Sequence, residues 1–588
     1  MQRYKYNQPL KENEIRLLEI ARHPEDNKLQ GRIRICNLVE EKPRYEALSY
    51  LWGPSGPEVP KFPIGRQEPV FDVFQNLYTA LHRILSRTDE GEYRTLWIDQ
   101  ICINQEDTIE QKAQLLLMGE IYKRAHDVLV WLGDPPPGVL NVAGYLDQIP
   151  SIVKKIKRNV ARIGPNFLPS VSAGLPINDD PVWAIIIDIL HKEWYSRVWT
   201  LQEAVLGKRL VVYYGSNILD WEFIYGLYLV YGAAPHMPLR SLHDEKEMVY
   251  KSIQWIQTYR RAREKSKPID FSHLLWTCGF KDCKYDVDKI YGMLGMVEKD
   301  IRDRIPVDEK YKKDPRPVFL EAFKVAIKND RQLHLLSLPF ERDTKLGLPS
   351  WCPDLKRPNE CVQLSGSFLA GIRSSTEKSS ILAITDSDFL SIQGVEVDKV
   401  LKIAKAQYRH LKEMDKRKKL MTEFHEETLR MAQEVYGTPE PEEYCRTLIA
   451  DTPRSLDGRK WSTEEMRAGY QALFAEGPLQ AHLNAMEKSL SGLYVSCAIQ
   501  ACGGRRFITT TKGRVGLAPA DCKEGDVICV FLGSGVPYVL TPNVVGAGES
   551  STFSFVGDCY LHGIMNSEVL DMLERKDTKL ELREFIIT

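Results

Sequence analysis

The stretch from Thr95 to Gly133 constrains the fold more than any other part of the chain. Thr95-Leu-Trp-Ile-Asp-Gln-Ile-Cys-Ile103 is a nearly continuous apolar run, the pattern of a strand buried on both faces. Asp107 and Glu110 then open a helix in the manner of a capping box. Ala113, Leu117 and Ile121, at i, i+4 and i+8, carry that helix to about Ala125. Asp127-Val-Leu-Val-Trp-Leu-Gly133 is a second buried strand, closed by Asp134-Pro-Pro-Pro-Gly138. Strand, helix and strand at this spacing call for a parallel sheet with right-handed crossovers. Tyr45–Gly53 adds a strand that stops at Gly53-Pro54. Upstream, Glu14–Ile20 and Gly31–Leu38 pair across a turn at His23-Pro-Glu-Asp-Asn. A loop over 54–69, a helix over Val70–Leu85 and a closing strand at Arg209–Gly215 complete an α/β domain over residues 1–220.

A chain of 588 residues exceeds one hydrophobic core, so further domains follow. Residues 221–490 read as a mainly helical middle region, and 491–588 as a β-rich C-terminal module. There, Arg505–Leu517 forms a hairpin turning at Lys512-Gly513, and Asp526–Leu532 and Tyr538–Leu540 add strands toward a small barrel. The net charge of −1 offers no field to draw nucleic acid. The basic stretches Lys154–Arg162 and Lys402–Met421 are therefore read as solvated helix faces. The twelve cysteines are scattered without CxxC pairs, which suits reduced thiols in the cytoplasm. Cys278 and Cys283 have no second pair at zinc spacing, so no metal site is expected. The longest apolar runs, such as Trp183–Leu190, fall well short of the ~20 residues of a membrane span. The N-terminus leads into no apolar signal segment, and a cytoplasmic location is expected.

Chemistry-bearing residues gather at the ends of these elements. Trp194–Gly207 reads as a short helix that Ser196 can cap and that Gly207, in a left-handed conformation, can stop. Ser196, Trp199 and Glu203 share one face of it, while Val198, Leu201 and Val205 point to a core. A carboxylate beside an indole is partly desolvated, and its pKa rises. A core tryptophan with a solvated glutamate beside it is the plainer alternative. At the end of the Tyr45–Gly53 strand, Ser49 offers a hydroxyl, Tyr50 and Trp52 offer ring faces, and Gly53 makes the turn. Asp99 interrupts the buried run and must be paired, hydrogen-bonded or protonated. Asn104 follows at the same strand's carboxyl end, the edge where open α/β sheets bind ligands. A GxxxxGK[ST] loop is absent from the sequence, which argues against a built-in nucleoside triphosphatase.

Taken together, Tyr45–Gly53, Leu96–Gly133 and Trp194–Gly207 resemble the three signature blocks of the fungal heterokaryon incompatibility (HET) domain. Asp288–Gly295, Leu348–Asp354, Cys445–Asp451 and Val556–Met565 resemble segments that accompany it. The resemblance implies a non-self recognition protein that triggers programmed cell death when incompatible cells fuse, with an allelic or non-allelic partner protein. The HET domain is in turn distantly similar to the Toll/interleukin receptor (TIR) domain, which implies a flavodoxin-like sheet. In TIR enzymes that cleave NAD, a tryptophan precedes the catalytic glutamate by four helical positions. Trp199 and Glu203 match that spacing, with Thr200 where those enzymes carry cysteine. The implied site has Glu203 as catalytic residue. Ser49, Tyr50, Trp52, Gly53, Asp99, Asn104 and Trp199 then hold NAD as substrate, with no cofactor. The alternative implied by the same resemblance is a non-catalytic TIR-like module that works by self-association as a homo-oligomer.

Overall fold

The order in which the strands lie decides where a ligand can meet the chain. In a computed structural model, residues 3–588 are described except 24–27, 54–59, 65–69, 88–91, 138–143, 145, 148, 155–180, 233–244, 330–332, 343–344, 359–360, 362, 365–367, 374–380, 408–413, 453–459, 474–489, 544–551 and 576–579. The chain divides into two units, residues 1–237 with 245–313, and residues 238–244 with 314–588.

The first unit is built on a seven-stranded sheet. Its strands are β1 (Glu14–Arg22), β2 (Leu29–Asn37), β3 (Glu46–Ser49), β6 (Arg94–Trp97), β7 (Asp127–Trp131), β8 (Leu210–Tyr214) and β9 (Asn217–Asp220), and the order is β2-β1-β6-β3-β7-β8-β9. Between β3 and β6 a separate hairpin, β4 (Lys61–Pro63) and β5 (Val70–Asp72), precedes helix α1 (Gln75–Ile84). Strands β6, β3, β7 and β8 run parallel, while β1, β2 and β9 pair antiparallel at the margins. Thus the sheet is mixed, not wholly parallel, and β3 sits between β6 and β7. Among the four parallel strands, the first in sequence lies inside the second, giving the order 2-1-3-4. The chain therefore leaves β3 in one direction and later resumes on its other side, the topological switch point at which such sheets open a crevice. Leu18, Leu48, Leu96 and Leu129 share one core with Leu77 and Leu81 of α1, all essentially fully buried. Each contributes roughly 1.5–3 kcal/mol.

Three sequence expectations require correction here. Thr95–Ile103 is not one strand: β6 ends at Trp97, and Asp99–Cys102 turns into the short helix α2. A continuous apolar run fits either element, and here the Asp99 carboxylate accepts the Gln100 N–H at 2.7 Å, holding the new turn. Val70–Leu85 likewise begins as strand β5, and its helix starts only at Gln75. Helix α3 (Thr108–Arg124) starts as expected, with the Asp107 carboxylate accepting from the N–H groups of Ile109 and Glu110. Glu110 does not close a capping box. It turns inward to a buried ion pair with Arg16 at 2.5 Å. After β7 come α4 (Val182–Leu190) and α5 (Val198–Leu206), then β8 and β9, and helices α6 (Trp221–Gly232), α7 (Glu245–Glu264), α8 (Phe271–Gly279) and α9 (Asp288–Tyr291). Most of Lys154–Arg162 lies outside the described residues.

The second unit carries helices α10 (Arg316–Asn329), α11 (Met414–Tyr436), α12 (Glu442–Leu448), α13 (Thr463–Leu473) and α14 (Leu490–Cys502). Its strands are β10 (Ile381–Ile384), β11 (Leu390–Ile403), β12 (Arg505–Thr510), β13 (Val515–Pro519), β14 (Val527–Phe531), β15 (Tyr538–Asn543), β16 (Thr552–Asp558), β17 (Tyr560–Leu561) and β18 (Leu582–Ile587), with a last helix, α15 (Glu568–Arg575). The circuit β14-β15-β16-β18-β11 closes because β11 also pairs with β14, which makes a barrel. The Arg505 hairpin turns at Gly513 (φ 72°) as its sequence requires. The middle of the chain is thus not wholly helical. At 14 residues, β11 is long enough to pair with β12 as well as with the barrel strands. Lys402 and Ile403 belong to this strand, 408–413 lie outside the described residues, and the helix of the basic run begins at Met414. Among the described residues, no helix is long and apolar enough to cross a membrane.

Candidate functional site

Register brings Ser49, the last residue of β3, level with Val130 of β7, so its side chain emerges at the carboxyl end of the parallel strands. Helix α5 crosses that edge. The Ser49 hydroxyl donates to the Glu203 carboxylate and accepts the indole N–H of Trp194 at 2.9 Å. All three groups are buried, with Glu203 only 7% exposed. The Tyr122 hydroxyl lies against the same carboxylate and donates to the Leu48 carbonyl at 3.0 Å. Burial drives the Glu203 pKa up to about 8, only partly opposed by the Ser49 hydroxyl. The Asp99 charge raises it further, and the Arg197 charge lowers it.

Asp99 forms the other half of the site. Its carboxylate accepts the Trp52 indole N–H at 2.7 Å, and Tyr50 also hydrogen-bonds to it. Burial raises the Asp99 pKa in spite of these donors, and it raises Tyr50 and Tyr122 well above their usual range. Gly53, at φ 80°, makes the turn out of the strand, and Asn76 of α1 holds that turn by donating to the Leu51 carbonyl at 2.6 Å. Trp52, Asp99 and Gln100 are half-exposed, so the site grades from an open rim to a closed floor at Ser49 and Glu203. A buried and a half-exposed carboxyl, both with raised pKa, at a switch point can change protonation state when a cation arrives, because its charge favours the ionised form.

The other expected residues have different partners. Trp199 is half-buried and hydrogen-bonds to Asp288, whose pKa burial raises to about 6. Asn104 stands by the buried Arg16–Glu110 pair, its N–H donating to Glu110 at 2.7 Å. Helix α5 begins at Val198, which leaves Ser196 outside it, and no side chain caps its start. The Val198 N–H is satisfied by the Asp282 carbonyl at 2.9 Å. Nor is Gly207 left-handed (φ −56°). A Cβ there would come within 2.6 Å of Val128, so close approach to β7 is what requires glycine. The C-terminal carbonyls of α5 are held by Arg260 and Arg263 of α7, which donate to Ala204, Val205 and Gly207. Trp194, Tyr122 and these two arginines have no part in the site read from sequence. Only Trp194 carries a local signal, as a buried indole whose N–H needs an acceptor. Among the described residues, no group of three or more His, Cys, Asp or Glu side chains is placed to hold a metal ion.

Residues 45–203, which begin just before β3 and end at Glu203, match the family model described as heterokaryon incompatibility protein (HET). Residues 407–580 match the Het-6 beta-barrel domain. Heterokaryon incompatibility protein 6, OR allele, of Neurospora crassa is 23% identical over 649 aligned positions, which cover 92% of each chain. No solved structure matches the chain.

Proposed function

Carrying a HET domain over residues 45–203 and a Het-6 barrel domain over 407–580, this chain is a HET-domain protein, and we propose that it acts in fungal non-self recognition by hydrolysing the nicotinamide–ribose bond of NAD. One observation carries the reading. The Ser49 hydroxyl, the Trp194 indole and the Glu203 carboxyl, distant in sequence, meet at the carboxyl end of β3, beside Asp99. The 2-1-3-4 order of the parallel strands supports the TIR-like comparison, although an antiparallel β9 follows β8 where a further parallel strand would extend that pattern.

In the reaction, the bond between ribose C1′ and the ring nitrogen breaks and its electron pair leaves with nicotinamide. Water adds to C1′ and releases a proton, and the products are ADP-ribose and nicotinamide. Positive charge develops on the ribose along the way. With a pKa of about 8, the buried Glu203 carboxyl holds its proton at neutral pH. An arriving pyridinium favours its ionised form, and the resulting carboxylate is fixed by Ser49 where the ribose charge appears. Trp52 presents a half-exposed ring face for a flat base, held in orientation by Asp99. The test is nicotinamide release from NAD by the purified chain across a range of concentrations, with Glu203→Gln alongside. A wild type that releases none overturns the enzyme reading.

Helix α3 favours a second reading, self-association without chemistry. It exposes Ile109 (81%) and Leu116 (39%) at i and i+7, with Ala113 exposed between them. If the wild type is inactive on NAD while Ile109→Asp abolishes a dimer, this second reading replaces the first.

A further inference from the structure

The second unit holds a cavity of about 1000 Å3, large enough for a nucleotide-sized molecule. Its wall is built from the segment after α10, the start of β12, the turn after β13 and the end of β16. Among the described residues, five basic and three acidic side chains line it. Two of the acids are engaged, Glu341 by Arg357 at 2.7 Å and Asp558 by Arg505 at 2.6 Å. Among the described lining residues, that leaves Arg342, Lys345 and Lys523 against Asp521.

Arg342 is the telling residue. It is half-buried, and among the described residues no carboxylate lies within ion-pair distance of it. Its guanidinium donates to the carbonyls of Leu336 at 2.6 Å and Trp351 at 2.9 Å, and it stacks on the Phe555 ring at 4.5 Å. These contacts fix the group in place, and the Asp558 carboxylate, already paired with Arg505, offsets its charge only in part. A half-buried cation hydrogen-bonded to carbonyls is costly, and an anion entering the cavity would offset that cost. Lys345 and Lys523 are exposed at the rim, where ammonium groups act as mobile point charges for phosphate. Phe340, Pro358 and Pro519 provide apolar wall beside them. Among the described lining residues, the surplus of about two positive charges matches the charge of a phosphomonoester near neutral pH.

We propose that this cavity is a binding site for a phosphomonoester with an apolar or aromatic body of nucleotide size. It is independent of the Ser49–Glu203 site, so the barrel reads a small anionic metabolite on its own account.

Calorimetric titration of the full chain with adenosine monophosphate, inorganic phosphate and adenosine tests it. The nucleotide should bind more tightly than phosphate, and adenosine at least tenfold more weakly than the nucleotide. Binding should weaken as salt rises. The rim double variant Lys345→Glu/Lys523→Glu should lose at least tenfold in affinity while keeping its melting temperature. Arg342→Lys, which keeps the charge but not the stacked fork, should lose less. Absence of nucleotide and phosphate binding at millimolar ligand overturns the proposal. So does binding that ignores the rim reversal but falls in Trp52→Ala, because the ligand would then sit in the first unit.

Discussion

Ser49 and Glu203 stand 154 positions apart in sequence and are joined side chain to side chain, hydroxyl to carboxyl, inside the first unit. The contact ties the end of β3 to helix α5. Both chain segments must be in place before either group has its partner, so the site forms only with the sheet around it.

The pH dependence of stability follows from the same carboxyl. Glu203 titrates near its ordinary value of 4.5 when unfolded and at about 8 when folded. Below pH 4.5 both states hold the proton. Between 4.5 and 8 only the unfolded chain releases it, so stability falls as pH rises through that window and is flat beyond it. The loss amounts to at most ~1.4 kcal/mol per pH unit. Asp99, also raised by burial, acts in the same direction. Glutamine resembles the neutral acid, so Glu203→Gln should fold as stably as wild type at pH 5 and more stably at pH 8. Urea midpoints at the two pH values check this, and equal midpoints for both proteins at pH 8 would contradict it.

Trp52 tests the rim. Its ring is half-exposed and its N–H is tied to Asp99. Replacing it by alanine removes a stacking face worth ~1–3 kcal/mol per base, so under the proposed reaction KM for NAD should rise roughly 5- to 160-fold. Only a partly buried side chain is lost, and the melting temperature should drop by a few degrees at most. A variant whose kcat falls while KM holds would place Trp52 in the floor instead.

The parallel core was legible because Tyr45–Gly53 and Asp127–Gly133 are short apolar runs with turn residues at both ends. Ser49 was legible as the polar residue where such a strand stops. Asp99 stands out in the sequence as an anomaly, but not as the start of a helix, since the run around it has no period that separates strand from helix. Helical spacing grouped Trp199 with Glu203, whereas the indole that touches Ser49 is Trp194, which lies before the helix in a 3-10 turn. Nothing local announces that geometry. Strand β11 was hidden for a related reason. Its pairing is set by four other strands, three of which lie more than a hundred residues downstream.

Gly119 on α3 and Gly295 after α9 approach so closely that a Cβ on Gly119 would fall 2.6 Å from the Cα of Gly295. Backbone on both sides cannot yield as a side-chain tip would. Gly119→Ala should therefore destabilise by about 1–3 kcal/mol although alanine favours a helix. Thermal melting reads the loss, and an unchanged or higher midpoint would show that the two backbones separate freely.

Trp194 supplies the sharpest test of how the floor is held. Its indole donates to the Ser49 oxygen, and that hydroxyl donates onward to Glu203, so the three form a chain of polarised hydrogen bonds. Phenylalanine keeps most of the ring but removes the donor, which should cost about 1 kcal/mol of stability. The larger effect is on position. With the N–H gone, the Ser49 hydroxyl is free to rotate, and its bond to Glu203 weakens. If that bond sets the carboxylate under the ribose, kcat for NAD should fall roughly tenfold with KM little changed. Trp194→Phe should then add almost nothing to Ser49→Ala, because the indole acts only through the hydroxyl that alanine has already removed. Fully additive losses in the double variant would mean that Trp194 acts by packing alone.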